Sequence, residues 1–329
     1  MIATLSSAGE FIDTTLGPSR RVTEQNSVTL KKLLNRDSAI KIVQDILSTP
    51  ELVQAIARRS YRHTLGFDKL VLLDPGVTLT DGSRGFGFHL RLHIWWPGSN
   101  SGVPVVEGMH EHTFDFVSTV LAGAIENQRF LARPLTPQET AVLAKLDKKL
   151  AALLRDEVSA INDRLEALMA GELEKLGSSL PQAWGGMAQL EKKGDRKGLA
   201  AQLGMTDEEM DAVLYLHGRF INVTGGLNKG GYIHQLQETV RLEPLRVDKI
   251  AAGETYFHPH QHIHRLFNQD TLQSTILVTT PVSQEAQGGS LQRPSYVAPT
   301  QENADVTYTR RMYTPEELAD ILTRFLKVV

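Results

Sequence analysis

The run Phe88-His-Leu-Arg-Leu-His-Ile-Trp-Trp96 constrains the fold more than any other stretch of this chain. Its residues alternate strictly, and successive side chains on a strand point to opposite faces. Phe88, Leu90, Leu92 and Ile94 form an apolar face, His89, Arg91, His93 and Trp95 form the other, and Pro97-Gly98 closes the run. Such a strand suits the wall of a β-barrel with a polar lumen and a packed outer layer, or the reverse.

Two histidine-rich stretches bear on the chemistry. In His110-Glu-His112 both imidazoles share one face of a strand, about 7 Å apart along the chain. Two imidazoles on one face can bind one ion, with a third ligand from another strand. His258, His260, His262 and His264 also share a face if their strand is regular, and only one of them would reach the same ion. The chain has no cysteine, which excludes disulfides, Cys-ligated zinc, Fe–S clusters and a Cys nucleophile. A metal must therefore be held by His and carboxylates.

The partner classes narrow in the same way. The net charge of −3 comes from 35 basic and 38 acidic residues, and no basic stripe with interleaved aromatics is seen, so nucleic acid is not expected as a partner. No apolar run approaches the roughly 20 residues that span a bilayer, and no signal-peptide pattern opens the chain, so a cytoplasmic protein is expected.

Along the chain, residues 1–60 read as an N-terminal helical segment. Residues 1–30 look irregular, and two short helices follow, one from Asp37 or Ser38 as cap and one over Glu51 to Arg59. Residues 61–135 read as the first part of a barrel, with strands at Phe67 to Leu73, Phe116 to Leu121 and Ala124 to Leu131, the last two joined at Ala122-Gly123. Thr136-Pro-Gln-Glu139 carries cap, proline and glutamate in helix-start order. It opens a helical insertion over 136–216, which offers a lid or a homodimer contact. Residues 217–290 read as the second part, with strands at Tyr232 to Leu242, Val247 to Ile250 and Thr275 to Thr280. Residues 291–329 read as the end of a long loop (283–305) and a last helix capped by Thr314-Pro-Glu-Glu317.

His110-Glu-His112-Thr, the apolar strand to Gly123, and Gly253…Tyr256…His264-Arg265 followed by Thr275 to Pro281 resemble the cupin superfamily. Within it they look most like the cysteine dioxygenase group of thiol dioxygenases. That resemblance implies a mainly β fold, a cupin-type antiparallel β-barrel (jelly roll), here with N-terminal helices, a helical insertion and a C-terminal helix. Counted back from Gly123, the place of the usual cupin glutamate ligand holds Phe116. Thiol dioxygenases also lack that glutamate and hold Fe(II) with three histidines, which match His110, His112 and His264. Leu92 to Gly98 also looks like that group, and Tyr61-Arg62 stands where those enzymes carry a carboxylate-binding arginine. The family's Ser-His-Tyr relay has no counterpart, since Thr275 to Pro281 contains neither His nor Tyr, and the insertion is foreign to the group. The resemblance covers roughly residues 60–134 and 232–282.

The expected activity is a non-haem Fe(II) cupin oxygenase that acts with O₂ on a small amino-acid-like or thiol substrate, with Zn, Ni or Mn as other ions such a set can hold. Arg62, Arg91 and His93 are the candidate substrate-binding residues, an arginine gripping a carboxylate in a bidentate pair. Arg91, Tyr256 and His262 are the candidate catalytic groups. His258 and His260 are placed near the rim, His234 as a satisfied core residue, and Asp115 is not counted as a ligand. The alternatives are a redox-neutral metal-dependent cupin (isomerase, lyase or bond-rearranging enzyme) and a non-catalytic metal- or ligand-binding cupin. A 2-oxoglutarate oxygenase is disfavoured because Glu111 falls on the wrong strand face.

Overall fold

The structure, a computed structural model, describes residues 4–63, 66–98, 105–106, 109–142, 144, 206, 216–224, 231–268, 271–287, 292–297, 304–307 and 311–329. Its N-terminal residues are not irregular, as their composition suggests, but helical: α1 (Leu5–Leu16) and α2 (Glu24–Leu30). Reciprocal capping boxes, Thr4 with Ser7 and Thr23 with Asn26, start them. In α1 the stripe Leu5, Ala8, Ile12, Leu16 is buried, a helical pattern diluted in sequence by Ser, Thr and Gly. α3 (Arg36–Leu47) is capped by Asn35, whose side chain accepts from the Ser38 N–H, rather than by Asp37 or Ser38. α4 (Pro50–Ala57) begins on its proline, which needs no backbone donor there.

The strands are β1 (Tyr61–Arg62), β2 (Asp68–Leu73), β3 (Val77–Thr78), β4 (Arg84–Gly85), β5 (His89–Trp95), β6 (Val105–Val106), β7 (Met109–His110), β8 (Phe114–Ala122), β9 (Ala124–Pro134), β10 (Leu216–Thr224), β11 (Gly231–Ala251), β12 (Thr255–His258), β13 (Ile263–Asn268), β14 (Gln273–Pro281), β15 (Pro294–Val297) and β16 (Ala304–Thr307). All named pairings are antiparallel. One sheet runs β1-β2-β5-β14-β8-β12; the second runs β10-β15-β7-β13-β9-β11-β16, with β6 on β13. Strands from both sides of residues 136–216 meet in each sheet; β14, for instance, lies between β5 and β8.

The alternation in β5 decides how the layers stack. Leu90, Leu92 and Ile94 are fully buried with Ile42, Ile46 and Ile56 of the helices, and with Leu322 and Phe325 of a C-terminal helix, Pro315–Val328. Each such side chain contributes about 1.5–3 kcal/mol by leaving water, so the helical layer is part of the same core as the sheet. The opposite face of β5 looks into the space between the two sheets. Of the two arrangements its alternation allows, the chain adopts the polar interior.

Three stretches differ from their sequence reading. The end of the helical insertion at Leu216 starts a strand, β10, that pairs with β11 and β15. β11 joins Tyr232 to Leu242 and Val247 to Ile250 into one strand, with its register shift at Pro244/Arg246, because a proline cannot donate to the ladder. The expected loop 283–305 supplies β15 and, at its end, β16. Four-residue strands show too little periodicity to be read locally and form because partners are waiting. Thr136 and Glu139 do make the expected capping box: Glu139 N–H donates to Thr136 Oγ1 (3.2 Å), Thr136 N–H to Glu139 Oε2 (2.8 Å), and residues 137–142 are helical. The remainder of the expected insertion, apart from residues 144, 206 and 216, lies outside the described residues. The C-terminal helix carries the same device, Thr314 with Glu317. Among the described residues no helix is long and apolar enough to cross a membrane.

The β8–β9 turn rests on Gly123, at φ +70°, where an added Cβ would stand 2.3 Å from the Leu272 carbonyl oxygen. Gly98 has the same φ of +70° with nothing within 4 Å. Gly98→Ala is therefore expected to lose about 1–2 kcal/mol in urea unfolding, the cost of a left-handed L-residue. Gly123→Ala should lose more than that, and equal losses would show that the Leu272 contact does not matter.

Candidate metal centre

Both histidine stretches lie where the chain crosses from one sheet to the other. β7 ends at His110 in the second sheet, and β8 begins at Phe114 in the first; β12 ends at His258 in the first, and β13 begins at Ile263 in the second. The crossings are clamped together. His110 and His264 are register partners in β7 and β13, and the His112 N–H donates to the His260 carbonyl (3.1 Å). The expectation of regular strands is thereby corrected. His112 reaches the site from outside the strand, and residues 259–262 turn, with the His262 N–H on the Pro259 carbonyl at 3.1 Å. His258 is at no rim: it is fully buried, 4.9 Å from the Phe116 ring and 4.1 Å from the His264 ring, centroid to centroid.

The result is a cluster of His110, His112 and His264, each offering a nitrogen within 4.8 Å of the others. Their ring centroids lie 4.8, 4.8 and 5.0 Å apart. His264 Nδ1–H donates to Oδ1 of fully buried Asn127 (2.8 Å), which leaves the lone pair on Nε2, 2.9 Å from His112 Nε2. Two ligand nitrogens each about 2.0–2.1 Å from one ion, at a right angle, stand about 2.9 Å apart. Burial above all, then the neighbouring imidazoles and Arg293, holds the pKa of His112 and of His264 well below the usual histidine value. Both are thus neutral, as ligands must be. These residues fit a metal ion, and the donor set is borderline-soft nitrogen alone.

Among the described residues no carboxylate completes the set. Phe116 fills the place of a possible acid, edge-on to His112 at 5.3 Å. Glu111 turns away and accepts from Tyr296 O–H. Asp115 is buried under other partners, accepting from Arg21 Nη2 (2.7 Å) and from the His260 backbone N–H (2.9 Å), with His260 Nδ1 at 2.8 Å.

Beside the histidines is a cavity of about 120 Å³, walled from the first sheet by Lys69, Arg91, His93, Trp95, Phe114, Phe116, Ser118, Tyr256 and Leu277, from the second by His110, His264 and Leu266, and by His112 in the crossing between them. Arg91, His93 and Tyr256 are brought here. Arg62 is not: on edge strand β1 it pairs with Asp68 (3.0 Å). His262 is not either; its Nδ1 lies 3.4 Å from Arg129 Nη1, and its carbonyl accepts from His258 Nε2–H (3.1 Å). The side chain of His234 is outside the described set. Missed in the sequence were Lys69, Ser118 and Arg293. Ser118 was within reach, because it shares a strand face with Phe116. Arg293 was hidden by the loop reading, with Tyr296-Val297 as the only cue to a strand there. His93 Nε2 and Ser118 Oγ, both on the cavity wall, are shielded from solvent without a hydrogen-bond partner. No protein-family profile matches the chain, and no curated protein matches it significantly.

Two predictions follow from these contacts. Asn127→Leu should weaken metal affinity about 10–100-fold in chelator competition by freeing His264 Nδ1, while the metal-free chain stays folded. Acid should also destabilise the metal-free chain. His258, lowered to about 3 chiefly by burial, is neutral when folded and protonates near 6.5 when unfolded. Its contribution is complete above pH 6.5 and fades as pH falls towards 3, by about 1.4 kcal/mol per unit. Urea unfolding from pH 7.5 to 4.5 should show at least this slope, since His89, His112 and His264 are lowered by burial as well, and His258→Phe should reduce it.

Proposed function

We propose that this chain is a metal-dependent oxygenase of the cupin kind, with ferrous iron on His110, His112 and His264 and a small carboxylate substrate in the adjoining cavity. The observation that carries the reading is the cluster itself: three converging imidazoles with no acidic ligand among the described residues, and a cavity on one side. Two facing antiparallel sheets, with the histidines at adjacent crossovers, support a jelly-roll relationship alongside the motif resemblance. Three neutral ligands leave the full charge of the ion for an anionic substrate and O₂, and Fe(II) supplies redox chemistry and Lewis acidity at that point.

The side chains divide the remaining work. Arg91 Nη2–H donates to His89 Nδ1 (2.6 Å), and the guanidinium lies 4.9 Å over the Phe114 ring, so it is held in place to grip a carboxylate. His93 Nε2 and Ser118 Oγ offer polar contacts to an amine, thiol or hydroxyl on the same molecule. Phe67, Trp95, Phe116 and Leu277 keep water from the space between. Tyr256, edge-on to Phe116 at 5.8 Å, is the phenol available to hold or pass a proton there.

Iron-loaded protein is expected to carry near one iron per chain and to consume O₂ with small thiol or amino carboxylates. His110→Ala should lose both iron and uptake. Turnover that proceeds without O₂ on a zinc- or nickel-loaded chain would overturn the oxygenase reading in favour of a redox-neutral enzyme.

A further inference from the structure

We infer that β15, with the residue before it, positions the metal ligands: Tyr296 and Arg293 hold Glu111, and through it set the separation of His110 and His112. This rests on the three-histidine reading above and adds the residues that keep the site in shape without touching the ion.

His110 ends a strand of only two residues, and His112 lies outside any strand. So short a strand has to be held from both sides. On one side β13 pairs with it at His264; on the other, in β15, Ser295 is the register partner of His110 and Tyr296 that of Met109. Glu111, between the two ligands, gives its three polar groups to this second side. Its N–H donates to the Pro294 carbonyl (3.1 Å), its carbonyl accepts from Arg293 Nε–H (3.0 Å), and its carboxylate accepts from the Tyr296 hydroxyl. The N–H belongs to the peptide that joins His110 to Glu111, and the carbonyl to the peptide that joins Glu111 to His112. With both planar peptides held, the backbone torsions at Glu111, and so the relative positions of the two ligands, are set from β15.

Tyr296 is itself placed by packing. It is 2% exposed, shares an apolar cluster with Met109, Val240, Leu242 and Ile263, and has Arg219 of β10 as its register partner. Burial first, and then the Glu111 carboxylate, raises its pKa above the usual phenol value, so the hydroxyl keeps the proton it donates. A ring locked by its neighbours thus turns a flexible glutamate into a fixed arm. Ligand geometry has to be met within about 0.5 Å, and residues that orient ligands from behind are worth about 10–100-fold in metal affinity. A contact that served the fold alone would stabilise the chain without changing how the folded chain holds an ion.

The test uses the full chain with cobalt(II) as the probe, read by chelator competition and visible absorption, and amide hydrogen exchange on the metal-free chain. Tyr296→Phe removes the hydroxyl and keeps the ring, Glu111→Ala removes the acceptor, and Glu111→Gln keeps an acceptor oxygen. Tyr296→Phe and Glu111→Ala should each bind cobalt about 10-fold more weakly, with a changed spectrum. The double variant should bind no more weakly than either alone, and Glu111→Gln should stay close to the unaltered chain. Without metal, both single variants should speed exchange at Glu111 and His112 about tenfold while the amides of β5 are unchanged. Unchanged affinity and spectrum, additive losses in the double variant, or lower urea stability without any of these changes would overturn the inference. If the unaltered chain takes up no cobalt, the metal reading falls and exchange decides. Local opening at Glu111 and His112 in both variants then upholds the positioning role, and unchanged exchange there overturns it. No readout involves turnover, so failure of the oxygenase reading alone leaves these outcomes as they are.

Discussion

The pairing of β7 with β13, with His110 opposite His264, is the contact on which the rest of the site depends. It ties two stretches of chain 154 positions apart at the point where both leave one sheet for the other. A second bond, from His112 N–H to the carbonyl of His260, fixes the two crossings against each other. With the backbones locked in this way, three imidazoles converge without a flexible loop having to be ordered at the moment of binding. Histidines on crossings rather than mid-strand also explain why their spacing departs from the 7 Å expected of a regular strand.

Around that point the fold separates two environments. The first sheet is covered on one side by helices and on the other by the second sheet, so β14 is buried along its whole length. Its outward face is aliphatic and merges with the helical core. Its inward face holds Thr275 and Leu277 beside Arg91, His93 and Ser118 on the neighbouring strands. Apolar surface supplies most of the stability outside, which leaves the inner face free to carry polar groups that a pure core would exclude.

Electrostatics then sorts those groups. Burial holds His89, His93, His112, His258 and His264 below the usual histidine pKa, and nearby carboxylates are engaged by structural partners. Asp115 is held by Arg21 and His260, which ties the N-terminal helical segment to the turn beside the cluster. Asp74 reaches the cavity only through His89, and Glu111 is held by Tyr296. Among the described residues that line the cavity, the charged side chains are Lys69, Arg91 and Arg293.

Periodicity and local chemistry were legible in the sequence. The two faces of β5, the turn at Gly123, the capping boxes at Thr136 and Thr314, and the His110-Glu-His112 pair are all patterns within a few residues, set by backbone geometry that acts locally. The N-terminal helix α1 was missed because polar residues dilute its stripe, and β15 and β16 because strands of four residues exist only through their partners. Which of the four later histidines joins the cluster, why His258 is buried beside it, and how Arg293 comes to line the same cavity as Arg91 were settled only by the tertiary structure. Those outcomes depend on where the chain crosses between sheets. Hydrogen bonds between distant strands decide that, and no local spacing encodes it.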